Sequence, residues 1–177
     1  FPTVKVENNI YSLELYHGPT MAFKDVGARF MSRCLGYFLK NETRKVTVLV
    51  ATSGDTGGAV ANGFYDVEGI EVVILYPKNR VSPVQEKQLT ALGKNIHALE
   101  VNGSFDDCQA LVKQAFSDES LTEKLLLFGG AIQSAGAVKS NKIKNKINIF
   151  SYFYLYNIIQ DVSMYFQDLL HNLIRIS

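Results

Sequence analysis

Along the first two thirds of the chain the apolar positions switch between two periods. Residues 46–52 (Val-Thr-Val-Leu-Val-Ala-Thr) and 71–76 are β-branched apolar runs, the pattern of strands covered on both faces. Residues 95–101 read as a further strand, and residues 11–16 as a short strand running into a His-Gly-Pro turn. Between these runs the apolar period lengthens to that of a helix. Residues 25–39 place Val26, Phe30, Cys34 and Phe38 on one expected core face, and residues 56–65 combine small side chains with helical spacing. Ser82 and Pro83 suit the N-cap and first position of a helix that stops at Gly93. Residues 104–116 put Phe105, Cys108, Leu111, Val112 and Ala115 on one side, with Ser104 as cap and Asp106 and Asp107 in the first turn.

Strands alternating with helices through short connections predict βαβ units. The expected fold class is therefore α/β: a four-stranded, mainly parallel, helix-flanked sheet between residues 11 and 116. In such sheets ligands sit at the carboxyl ends of the strands. The segments around Lys24 and residues 53–58 both follow predicted strands, so both are expected on one edge, facing one cleft.

Composition adds mostly exclusions. With 177 residues, 47% apolar and 20% charged, the chain suits one globular domain with a real core. A net charge of +1 gives no electrostatic case for nucleic acid or an acidic membrane surface. The apolar run at 147–159 is too short and too polar to span a membrane. Two cysteines, Cys34 and Cys108, without a CxxC pair, suggest neither a disulfide framework nor a zinc site, and a reducing, cytoplasmic compartment is the expectation. The chain opens on Phe1 rather than Met, and a preceding segment is expected. From residue 139 onward there is no Gly or Pro, and about four-fifths of the residues are Lys, Asn, Ile, Phe, Tyr, Ser or Leu.

Two segments carry candidate chemistry. The first is Leu13-Glu14-Leu15-Tyr16-His17-Gly18-Pro19-Thr20-Met21-Ala22-Phe23-Lys24-Asp25-Val26-Gly27-Ala28-Arg29-Phe30. A lone lysine at a helix start is ordinarily solvated. Among apolar neighbours its neutral amine can form a Schiff base with an aldehyde cofactor. The second is Ala51-Thr52-Ser53-Gly54-Asp55-Thr56-Gly57-Gly58, which follows a buried strand and opens a helix. Free N–H groups at a helix N-terminus attract an anion such as a carboxylate, with the Ser53 and Thr56 hydroxyls as further donors. Alone, this segment is equally well an ordinary capped strand-to-helix turn. It is neither GxGxxG nor a P-loop. His17 reads as a hydrogen-bonded turn histidine or a proton shuttle, and Lys78 and Arg80 as solvated loop charges or attractors of a phosphorylated substrate.

Together the two segments resemble the serine/threonine dehydratase superfamily, the fold-type-II pyridoxal-phosphate enzymes. Within it they are most similar to the long-form threonine synthase family of bacteria and fungi. Where the superfamily usually reads Ser-Gly-Asn-Thr-Gly, this chain has Asp55 in the Asn position, as that family does. The segments Ser82-Pro83-Val84-Gln85-Glu86-Lys87 and Phe105-Asp106-Asp107-Cys108-Gln109-Ala110-Leu111-Val112 resemble it too, so the likeness runs over about residues 11–127.

The resemblance implies pyridoxal 5'-phosphate as cofactor, held by Lys24. Asp55 would contact the cofactor's ring hydroxyl, and Ser53, Gly54, Asp55 and Thr56 would hold the substrate carboxylate. The implied reaction converts O-phospho-L-homoserine and water to L-threonine and phosphate. The alternatives are a phospho-lyase releasing a keto acid and a catalytically inactive fragment. The glycine-rich cup for the cofactor phosphate and the group facing the pyridine nitrogen would lie downstream. Residues 1–127 are accordingly expected to be part of a catalytic domain. Residues 128–177 are expected to be a divergent tail, arising from a shifted frame, a retained intron, a faulty gene model or a genuine extension.

Overall fold

The structure, a computed structural model, describes residues 1–41 and 43–128. The tail expected over 129–177 lies outside the described residues. The chain begins with a hairpin, β1 (Thr3–Glu7) and β2 (Ile10–Leu13), antiparallel and turned at Asn8-Asn9, where Asn9 takes φ 61°. There follow α1 (Lys24–Leu39), β3 (Val46–Ala51), α2 (Asp55–Phe64), β4 (Ile70–Pro77), α3 (Pro83–Thr90) and β5 (Ile96–Val101). The elements α4 (Phe105–Ser117), α5 (Glu119–Lys124) and β6 (Leu126–Phe128) complete the described part.

The sheet has four strands in the order β5-β4-β3-β6, and every neighbouring pair is parallel. Every residue of β3 is buried, as its unbroken apolar run requires of a central strand. Two helical crossovers, through α2 and α3, carry the chain outward from β3 to β5, as parallel neighbours require. The chain then returns across the sheet through α4 and α5 to lay β6 on the other side of β3. That reversal puts α4 on the opposite face, where Cys108 and Val112 pack on Leu49, Ala51 and Leu75. Val48, Val50, Val72 and Ile74, of the alternate parity, are buried facing the other way, on the side of α2. The reversal beside β3 is a topological switch point, and a ligand crevice belongs at the carboxyl end of the strands flanking it. The segment leaving β3 there is Ser53–Gly58.

Two sequence expectations are corrected. Residues 11–16 do not join the parallel sheet. Residues 10–13 pair with residues 3–7 instead, because a strand whose antiparallel partner lies just upstream closes a far shorter loop than one joining β3. The fourth strand is β6. On α1 the buried face is Asp25, Ala28, Ser32, Leu35 and Leu39, whereas Phe30 and Phe38 are 52% and 49% exposed. The small residues face inward because α1 lies against glycines of α2, and bulk on that face would hold the helices apart.

Candidate functional site

The approach to Lys24 is a tight turn built on a buried carboxylate. Asp25, fully buried, accepts the Thr20 N–H at 2.9 Å and the Thr20 hydroxyl at 2.7 Å. The Met21 N–H closes the turn on the Gly18 carbonyl at 3.0 Å, with Met21 itself at φ 59°. A Cβ at position 18 would lie 2.2 Å from Asp25 Oδ2, so only glycine fits there. Lys24 opens α1, half-buried, with its ammonium 5.8 Å from the Phe23 ring centroid. Among the described residues no carboxylate pairs with it.

Three contacts run along α1 with its lead-in and α2 with its exit, and the one between Gly63 and Ala28 joins the two helices themselves. A Cβ at Gly58 would meet Thr20 at 3.6 Å, one at Gly63 would meet the Ala28 backbone at 3.0 Å, and one at Gly36 would meet Val67 at 3.3 Å. The pairs 20/58, 28/63 and 36/67 advance together, so the two helices run in the same direction. Their N-termini share one end, and that end is the carboxyl edge of β3. Lys24 and the Ser53–Gly58 loop therefore occupy one edge of the molecule, as the sequence predicts, although the Lys24 segment reaches it from the hairpin rather than from a sheet strand.

The loop itself is organised by Thr52, which is buried. Its hydroxyl oxygen accepts the N–H groups of Gly54 at 3.0 Å and Gly57 at 2.8 Å. Those two donors are thereby committed. The N–H groups of Asp55 and Thr56 meet no protein acceptor among the described residues and remain open to an anion. Gly54 caps α2 at φ 143°, a backbone region closed to other residues. Ser53 and Asp55 are exposed, and Thr56 is half-buried. The Asp55 carboxylate accepts a hydrogen bond from Gln85 Nε2 at 2.6 Å. Sequence reasoning singled out Lys24 and the 53–56 loop but neither Thr52 nor Gln85. Thr52 was visible only as the end of a strand, and Gln85 only as the third helical residue after the Ser82 cap.

Lys78 and Arg80, just past the carboxyl end of β4, are exposed. His17 bonds Glu14 at 2.5 Å, and that bond, with one from Tyr16, holds the Glu14 carboxyl below its usual range. Cys34 and Cys108 are unpaired, and burial pushes the Cys108 thiol up. Among the described residues there is no metal-binding cluster of His, Cys, Asp and Glu, and no helix is long and apolar enough to cross a membrane.

A parallel α/β sheet with a lysine and a helix start of open N–H groups on one edge defines a class of α/β domains in which a cofactor amine link is chemically possible. The match to known proteins narrows the class. The family model for "Pyridoxal-phosphate dependent enzyme" matches residues 2–153, and the chain belongs to that family. The chain is 51% identical over 142 residues to threonine synthase of Haemophilus influenzae, with 80% of this chain and 32% of that protein covered. It is 47% identical over 146 residues to threonine synthase of Escherichia coli, with 82% and 32% covered. Among solved structures it is similar to pyridoxal-phosphate-bound threonine synthase of Brucella melitensis, at TM-score 0.69 and 39% identity over 87% of this chain and 32% of that one. Escherichia coli threonine synthase gives TM-score 0.64 at 52% identity over 72% and 29%. The chain thus spans about a third of the length of these relatives. The family match also extends past residue 127, where the motif likeness ends.

Proposed function

We propose that this chain is the cofactor-lysine portion of a threonine synthase, acting on O-phospho-L-homoserine in the cytoplasm. The observation that carries the reading is the shared edge: Lys24 at the start of α1 and the open N–H groups of Asp55 and Thr56 at the start of the parallel α2. The residues fit pyridoxal phosphate. A lysine without a carboxylate partner can bond its aldehyde, and a helix N-terminus beside it can hold the substrate's carboxylate. When bound, the cofactor supplies an electron sink for charge developing on the substrate carbon.

Lys24 Nζ would take one proton from the substrate α-carbon and one from Cβ, so that phosphate can leave Cγ. It would return them to Cγ and, after water has added its hydroxyl at Cβ, to the α-carbon, the proton left by the water going to the released phosphate. The Ser53 and Thr56 hydroxyls and the open N–H groups of Asp55 and Thr56 would orient the carboxylate, Gly54 would let it approach the backbone closely, and the Asp55 side chain would hold the ring hydroxyl. Lys78 and Arg80 add positive charge near the edge where a phosphorylated substrate arrives.

The test is made on the full-length protein. Wild type is expected to show the visible absorbance of covalently held cofactor and to release phosphate from O-phosphohomoserine with threonine as the amino-acid product. Lys24→Ala is expected to abolish the band and the turnover. A band unchanged in the variant would move the covalent link to another lysine, and a keto acid in place of threonine would identify a phospho-lyase.

A further inference from the structure

We propose that Gln85 is a positioning residue of this site, fixing the Asp55 carboxylate on the cofactor-facing loop from the neighbouring helix. The inference rests on the functional reading above and deepens it.

Gln85 is the third residue of α3, thirty positions from Asp55 in sequence. Its amide is oriented by its own helix. Oε1 accepts from the Ser82 hydroxyl at 2.9 Å and from the Ser82 N–H at 3.4 Å, while the Ser82 hydroxyl accepts the Gln85 N–H at 3.4 Å. This reciprocal capping box leaves Nε2 as the free end, and Nε2 donates to Asp55 Oδ1 at 2.6 Å. The loop is shaped to receive it. A Cβ at position 54 would lie 2.6–2.7 Å from the Gln85 side-chain amide atoms, so the amide lies over a glycine that also carries φ 143°.

Asp55 is exposed at the first position of its helix, where an unheld carboxylate samples several rotamers. With one oxygen held by Gln85, the carboxylate has one orientation and one oxygen left for a ligand. The identity of residue 85 follows from this second task. A capping box works with Glu or Gln at its third position, but only Gln can also donate to a carboxylate.

That difference gives the test. In the full-length protein, Gln85→Glu keeps the cap of α3 and replaces the donated hydrogen bond with a second carboxylate facing Asp55. Pyridoxal phosphate affinity, titrated by visible absorbance, is expected to fall roughly tenfold or more with the thermal midpoint of the cofactor-free protein little changed. Asp55→Asn supplies a donor that can face the introduced glutamate. Adding Gln85→Glu to the Asp55→Asn variant is therefore expected to cost no further affinity. Gln85→Glu binding as tightly as wild type, or costing as much in the Asp55→Asn background as in the wild type, would overturn the proposal. A wild-type protein without a Lys24-dependent band overturns the functional reading and this inference with it. An intact band with no coupling between 55 and 85 overturns this inference alone.

Discussion

At the residue scale, a few buried polar atoms decide where the reactive groups stand. Thr52 is the clearest, because one hydroxyl oxygen serves two backbone donors of the loop. Valine has nearly the same shape and would fill the same space, but it would leave the Gly54 and Gly57 N–H groups unpaired in a buried place. Thr52→Val is therefore expected to destabilise the folded protein by about 2–3 kcal/mol in denaturant unfolding, since each orphaned donor costs its desolvation. Thr52→Ser keeps the acceptor and is expected to cost less than half as much. A small loss for Thr52→Val beside a larger one for Thr52→Ser would mean that the methyl group, packed near Gly57, matters and the hydroxyl does not. Asp25 plays the corresponding part before Lys24 by holding Thr20 by both its N–H and its hydroxyl.

At the scale of elements, the molecule depends on two helices lying close enough that their N-termini meet at one edge. The contact at Gly63 is the tightest against backbone: a methyl there would stand 3.0 Å from the Ala28 carbonyl carbon and 3.1 Å from its oxygen. Backbone in mid-helix cannot swing aside as a side chain can, so Gly63→Ala is expected to push α1 outward. A loss of about 1–3 kcal/mol in stability follows from overpacking, together with weaker cofactor binding in the full-length protein as Lys24 shifts. A more stable variant, through better helix propensity alone, would show that the helices have slack. The same contact explains what the sequence concealed. Phe30 and Phe38 follow the spacing of a core face, and bulk is the usual sign of burial, yet here closeness selects Ala28 and Ser32 for the inner face. The strands β3 and β4 were legible within a residue or two because each is rich in β-branched apolar residues, and β5 because it lies between Gly93 and the Ser104 cap. The strand β6 has three residues, too few to show any period. Of the site, Lys24 and the 53–56 loop were legible because each is a contiguous string with its own chemistry. Gln85 was not, because its meaning lies in a contact thirty residues away.

At the scale of the whole molecule, the described residues set out reactive groups without enclosing them. Ser53 and Asp55 are exposed and Lys24 is only half-buried. Large apolar side chains stand open to water before β3, where Val6, Tyr11, Met21 and Tyr37 are all at least 60% exposed, and Val84 on α3 is 69% exposed. Tight cofactor binding needs a closed, dry cleft, because an amine–aldehyde bond open to water is readily reversed. The chain of 177 residues, taken alone, is therefore expected to take up pyridoxal phosphate weakly and to release no phosphate from O-phosphohomoserine. Its many exposed large apolar side chains are expected to drive self-association, since apolar surface left in water favours contact between copies. The measurement is a titration of purified chain with pyridoxal phosphate, followed by visible absorbance and by light scattering in the same sample. Weak, non-saturating uptake with a scattering signal that rises with protein concentration is the expected result. Stoichiometric, tight binding by a monomer would overturn this expectation, and turnover in that state would make the chain an enzyme by itself.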